Sequence, residues 1–210
     1  MRILLVAFAA ALAALMSAIG AEAGRQAAGV AQYVVTPDPR ACPSPRCGGY
    51  WVALANHDRT PCGQGVARAR CYVASATGRD GNPLPDAIPA GALVRGSLEQ
   101  RAVDGTDFGV LVVDEVRAPV GKATAAPVYR VRDTGIRCVK APCFSMRGWR
   151  VSTSKSVTVS ELVLPAGLTP MQRAEAESAL RRGGLFVAGG IVPASDGGRS
   201  LRAKTVYLSR

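Results

Sequence analysis

Two stretches decide the reading: Tyr33-Val-Val-Thr-Pro-Asp-Pro-Arg-Ala-Cys42-Pro-Ser-Pro-Arg-Cys47-Gly-Gly-Tyr-Trp-Val52 and Tyr129-Arg-Val-Arg-Asp-Thr-Gly-Ile-Arg-Cys138-Val-Lys-Ala-Pro-Cys143. In both, Tyr-x-Val leads a short β-like run, the first cysteine follows at the same distance, and a proline-containing C-x4-C loop comes next. A tryptophan stands soon after each pair, at Trp51 and Trp149. Further on, Leu93-Val-Arg-Gly-Ser-Leu98 matches Phe186-Val-Ala-Gly-Gly-Ile191, and each is followed by a strand-like run, Phe108–Val116 and Leu201–Leu208. Such self-similarity at long period reads as two copies of one unit, about residues 30–118 and 126–210, which divides the chain into units 24–118 and 119–210.

Both units read as mainly β. Val and Tyr collect in short runs bounded by Gly, Pro, Asn and Asp. Phe108–Val116 is apolar on both faces, as a central strand is, whereas Leu201–Leu208 begins by alternating apolar and charged residues, which predicts one wet face. One helix is expected near 170–182: Thr169 caps it, Pro170 suits its first turn, Gln172 completes a capping box, and Gly183-Gly184 ends it. Its apolar stripe is weak, which places it on the surface. The first unit has loop there, with Gly78, Gly81, Pro83, Pro85 and Pro89. The element order fits a small OB-like barrel in each unit, or a sandwich sharing strands of both.

The N-terminus reads as a secretory signal peptide over residues 1–23: Arg2, an apolar run from Ile3 to Ile19, and Ala21-Glu-Ala23 as the cleavage site. A retained membrane anchor is the alternative. No later apolar run approaches spanning length. The mature chain is thus expected in the periplasm or outside the cell. Its six cysteines, Cys42, Cys47, Cys62, Cys71, Cys138 and Cys143, then read as three disulfides. Spacing favours 42–47, 62–71 and 138–143. A zinc site from the two C-x4-C pairs is the rival reading.

The formal charge is +11 and survives removal of the leader, since Arg2 and Glu22 leave together. A surface of that sign favours anionic partners such as an envelope polymer. The arginines are scattered singly, however, and no block like a nucleic-acid-binding arm occurs.

Residues Cys42-Pro-Ser-Pro-Arg-Cys47-Gly-Gly-Tyr-Trp-Val52, together with Cys71-Tyr-Val-Ala74 and Gly135–Cys143, resemble a domain-of-unknown-function family of secreted bacterial proteins, frequent in myxobacteria, with an R-x-C-x-S-P-x-C-G-G-Y-W-V-like signature. Here Arg40 and Ala41 precede Cys42. The resemblance implies export and a shared fold, and no activity.

No catalytic residues are assigned, and no cofactor. His57 is the only histidine, with Asp58 adjacent rather than across a site, unlike a catalytic triad. Asp114-Glu115 are neighbours on a strand and point to opposite faces, which is poor for paired acid–base work. The paired glycines after the helix lack the lysine and spacing of a phosphate loop. Trp51 and Trp149 are read as core packers with a bonded indole nitrogen; a stacking platform is the alternative. The possible binding loops are the cysteine-closed turns that present Arg46 and Lys140. Together these features read as a non-enzymatic binding or structural module whose partner is an anionic envelope polymer or a protein. Two alternatives stand: a protease inhibitor presenting Arg46 and Lys140, and more distantly an unrecognised hydrolase.

Overall fold

The computed structural model describes residues 30–209 except 64, 104, 105 and 123; the expected leader and its cleavage point at Ala23 lie outside the described residues. The first half supplies β1 (Ala31–Pro37), β2 (Tyr50–Leu54), a small ribbon of β3 (Thr60–Pro61) and β4 (Ala67–Arg68), then β5 (Cys71–Val73), β6 (Ser75–Gly78), β7 (Ala92–Val103) and β8 (Thr106–Gly121). The second half supplies β9 (Val128–Asp133), β10 (Met146–Arg150), β11 (Ser156–Val159), β12 (Glu161–Val163), the helix α1 (Pro170–Arg182), β13 (Leu185–Pro193) and β14 (Arg199–Ser209). Over the described residues the fold is mainly β with one helix, as expected.

Twelve strands form one sheet with the order β11-β10-β9-β13-β14-β8-β7-β1-β2-β5, to which β12 is added beside β14 and β6 beside β8. The strands of the first half pair as β1 with β2, β1 with β7, β2 with β5 and β7 with β8, all antiparallel, and β6 parallel to β8. In the second half β9 pairs with β10, β9 with β13, β10 with β11 and β13 with β14 antiparallel, and β12 parallel to β14. The barrel expected for each unit does not close. Instead β8 runs past its own unit and pairs with β14 over Arg117–Gly121, so the sheet continues from one half into the other.

Alternation explains the strands locally. On β9, Val131 is buried while Arg130 and Arg132 are exposed, the period-two pattern of a half-wet strand. The first part of β14 alternates as expected, with Leu201 buried and Arg202 exposed. Residues Thr205–Leu208 are buried on both faces, because there β14 lies between β13 and β8. A bulge interrupts β7 at Arg95/Gly96 and another interrupts β13 at Ala188/Gly189. Both sites need glycine: a Cβ on Gly96 would strike the Val112 carbonyl, and one on Gly189 the Arg202 carbonyl. The helix has the predicted ends. Thr169 N donates to Gln172 Oε1 at 3.0 Å, Gln172 N donates to Thr169 Oγ1 at 3.3 Å, and only Ala176 is buried.

Two cores lie on the inner sides of the halves, one built on Val35, Val52, Val94 and Leu111, the other on Val131, Leu185, Val187 and Val206. A third fills the seam, where Ala55 and Leu93 meet Val128, Val151, Phe186 and Tyr207. Asn56 locks that seam. Its Nδ2 donates to Val128 O and to Val151 O, each at 2.8 Å, and its Oδ1 accepts from Val128 N at 2.8 Å. The residue has φ +64°, a conformation asparagine tolerates better than most. Beside it, His57 Nε2 donates to Ser152 O at 2.6 Å; a carbonyl only accepts, so that nitrogen carries the proton.

Truncation at Asn56 strands the Val128 N–H and the Val151 carbonyl in the seam, while Val128 O keeps the Val151 N–H at 3.0 Å. Each stranded group is worth roughly 1–3 kcal/mol when buried without a partner and less where water enters. Asn56→Ala is therefore expected to lower stability by about 3 kcal/mol in urea unfolding; an unchanged midpoint would show that the seam is held otherwise.

Candidate binding cleft of the first unit

The best-built polar site lies at the β5 end of the sheet. Trp51 on β2 and Tyr72 on β5 are directly opposite in the ladder, so their side chains share a face. Their rings meet edge-on with centroids 5.6 Å apart. Asp38, just beyond β1, is buried and organises the group. It receives the Trp51 indole N–H at 3.3 Å and the Arg40 Nε at 3.0 Å on both oxygens, with Arg40 Nη2 at 2.9 Å. Arg40 therefore lies across both rings, its guanidinium carbon 5.3 Å from the Trp51 centroid and 5.2 Å from that of Tyr72. Arg70 also stacks on Trp51, at 4.6 Å. Hydrogen bonds from the arginine keep the Asp38 carboxyl below the usual carboxylate range, and this outweighs the opposing effect of burial.

Disulfides pin this arrangement, and they pair as expected: Cys42–Cys47, Cys62–Cys71 and Cys138–Cys143. The first closes the turn that receives the Tyr72 hydroxyl on Pro45 O at 2.9 Å and Arg40 Nη2 on Arg46 O at 3.2 Å. The second ties the start of the β3–β4 ribbon to β5. Between ribbon and sheet opens a cleft of about 350 Å³ whose lining includes Trp51, Arg68, Arg70, Tyr72, Gln100 and Asp107. Gln100 is held in place, Nε2 donating to Cys62 O at 2.8 Å. Aromatic faces, guanidinium groups, a carboxamide and a carboxylate thus line one cleft.

The residues singled out from sequence fall as follows. Arg46 and Lys140 are both exposed on their disulfide-closed turns. Arg46 sits in a tight turn, its backbone N–H donating to Pro43 O at 3.2 Å, and does not line the cleft. Trp51 has its nitrogen bonded, as expected, but it is not a core packer: it is half-buried and lines the cleft. Trp149 is not one either: it is 39% exposed, with Arg147 5.4 Å from its ring. Nor do the two tryptophans correspond. Leu54 faces Tyr33 and Arg150 faces Tyr129, so the register puts Arg147 at the place of Trp51 and Ala53 at the place of Trp149. Thr158 stands at the place of Tyr72. The second unit therefore has no copy of the cleft.

Asp114 and Glu115 are held by different arginines, Asp114 by Arg79 at 2.5 Å with Arg95 at 3.7 Å, and Glu115 by Arg117 at 2.5 Å. The zinc alternative is overturned, because the thiolates it needs are bonded to each other. Among the described residues no group of three or more His, Cys, Asp or Glu is placed to hold a metal ion. Sequence reasoning missed Asp38, Arg40, Arg68, Arg70, Gln100 and Asp107. They lie on four separate segments, around 38–40, 68–70, 100 and 107, and only cross-strand register gathers them. The one local signal was Asp38-Pro-Arg40 beside the first cysteine.

The chain matches the family described as a domain of unknown function, DUF6748, over residues 31–209, and it belongs to that family. No curated protein and no solved structure matches it. Among the described residues no helix is long and apolar enough to cross a membrane.

A carboxylate whose folded value is depressed stabilises above its unfolded value, about 4, and loses that contribution as pH falls through the folded one. The natural chain should therefore unfold at a higher temperature than Asp38→Asn at pH 7, followed by tryptophan fluorescence. The gap should narrow below about pH 3. A gap equal at both pH values would mean that the Asp38 charge does not hold Arg40.

Proposed function

We propose that this chain is an exported, non-enzymatic binding module that holds an anionic polysaccharide of the cell envelope in the Trp51–Tyr72 cleft. The observation that carries the reading is Arg70 placed over the Trp51 ring, its guanidinium carbon 4.6 Å from the centroid, at the edge of that cleft. A guanidinium stacked on an aromatic face keeps its in-plane N–H donors for a carboxylate or sulfate. Ring edges and faces accept the C–H surfaces of a sugar, and Gln100 offers a hydroxyl partner. The formal charge of +11 adds long-range attraction.

Three disulfides fit an oxidising compartment, where acidic glycans are more accessible partners than nucleic acid. The inhibitor reading has less support. A substrate-like inhibitory loop offers an extended backbone, whereas Arg46 is folded into a turn and its carbonyl already accepts from Arg40.

Binding to polygalacturonate by calorimetry is expected to weaken with salt, as attraction between exposed charges does. Arg70→Ala and Trp51→Phe should each weaken it about tenfold, the loss of one charge-assisted contact. Arg202→Ala, which removes an exposed charge on β14 away from the cleft, should have little effect. Equal losses for Arg70→Ala and Arg202→Ala would reduce the binding to non-specific charge. Preference for single-stranded DNA over the glycan, or inhibition of trypsin-like proteases, would replace the proposal.

A further inference from the structure

The strand order is a palindrome. Matching each half by its pairings makes β5, β2, β1, β7 and β8 correspond to β11, β10, β9, β13 and β14, so the sheet reads the same outward from the β8–β14 ladder in both directions. A direct repeat by translation gives no such order; a two-fold axis does.

The registers test this residue by residue. Leu98 faces Leu111 and Ile191 faces Leu201, with the bulge at Gly96 in one strand and at Gly189 in the other. Counting on from there, Arg117 corresponds to Tyr207, Ala118 to Leu208 and Pro119 to Ser209. The β8–β14 ladder is antiparallel and so exchanges these counterparts: Arg117 faces Ser209 and Pro119 faces Tyr207. Ala118 and Leu208, each other's counterpart, face each other, and the axis passes through that pair.

Features far from the axis obey it too. Asn56 and Ser152 are counterparts, and they are the two non-glycine residues with positive φ, +64° and +56°, among the described residues. Both lie at the seam. Val30, Ala31, Gln32 and Leu54 line a cavity of about 430 Å³ on one side of the seam. Their counterparts Ala126, Pro127, Val128 and Arg150 line a second one of about 340 Å³, and Leu54 and His57 border both.

We infer that the chain is a fused homodimer: two copies of one unit joined about an internal two-fold axis, with the outer edge of β8 and β14 as a self-complementary surface whose natural partner is a second copy of the same unit. The inference is independent of any ligand. It explains why β8 and β14 run beyond their own units and why neither unit closes into a barrel.

The axis makes chain order immaterial, and this is testable on residues 30–210, with Ala123 left out where the new ends are cut. Eight residues, 120–127, join Pro119 to Val128. The same axis carries Pro119 to Ser209 and Val128 to Gln32, so eight residues must equally join Ser209 to Gln32. Arg210, Val30 and Ala31 supply three, leaving five. A circular permutant that begins at Thr124, ends at Lys122 and joins Arg210 to Val30 through a five-residue Gly/Ser linker is expected to fold. It should form the same three disulfides on peptide mapping, remain monomeric, and unfold at a temperature close to that of the natural order. A parallel permutant with a twenty-residue linker serves as control. Folding of the long-linker form alone would place the two ends too far apart for the axis and overturn the inference. Failure of both, with the natural order folding under the same conditions, would overturn it equally, since the units would then not be interchangeable.

Discussion

The backbone ladder between β8 and β14 is the constraint on which the rest depends. Each half has a modest core of its own, and each leaves the outer edge of its longest strand unpaired. An open edge on an otherwise hydrophobic strand invites indiscriminate pairing. Here that edge is consumed internally: residues Arg117–Gly121 of one half pair with Thr205–Ser209 of the other. The same union brings Leu93 against Phe186 and Tyr207 and creates the third core, which neither half contains alone. Asn56 then ties backbone to backbone across the seam, where an apolar side chain would leave amide groups stranded.

Fixing the sheet in this way fixes the cleft. Trp51 and Tyr72 are placed by the β2–β5 ladder, Asp38 by the end of β1, and Arg70 by the residue preceding β5, so the stack of arginine, tryptophan and arginine is a consequence of strand register rather than of a flexible loop. The disulfides act where register ends. Cys42–Cys47 closes the turn that carries Pro45 and Arg46 against Tyr72, and Cys62–Cys71 holds the ribbon that forms the other wall. Holding the walls in place lowers the ordering cost of binding.

How much of this was legible in the sequence follows from the range of each interaction. The helix at 170–182 and its capping box were readable because Thr169, Pro170, Gln172 and Gly183 act within a few residues of one another. The disulfides were readable from short spacings. The central position of β8 was readable from apolar residues on both faces. The cleft was not, because Arg40, Arg70 and Gln100 look like isolated polar residues until β1, β2, β5 and β7 are paired. The correspondence of Trp51 with Trp149 failed for a related reason: nearness to a cysteine pair is a weaker marker than register, and register displaces the two by one alternation of the strand. They keep the same facing but occupy different places. The apparent scatter of arginines was likewise a property of the linear chain, since Arg132 and Arg147 stand directly opposite each other on β9 and β10.

That the cleft occurs once bears on how such a molecule acquires a function. In a homodimer of identical chains every substitution appears twice, so a change that improves one site and harms the seam at its counterpart is paid for in both. Joining the copies in one chain removes that coupling. The two halves then keep what the axis demands: the glycines at the bulges, the tyrosines at Tyr33 and Tyr129, and the disulfide turns. They diverge elsewhere, Trp51 against Arg147, Tyr72 against Thr158, Asp38 against Thr134. Like charges facing across a ladder, as Arg132 and Arg147 do, cost a few tenths of a kcal/mol to about 1 kcal/mol, a burden one unit alone now carries. The asymmetry between the halves lies in the side chains of the cleft, the β3–β4 ribbon of the first half and the helix of the second, while the strand order that both share stays two-fold.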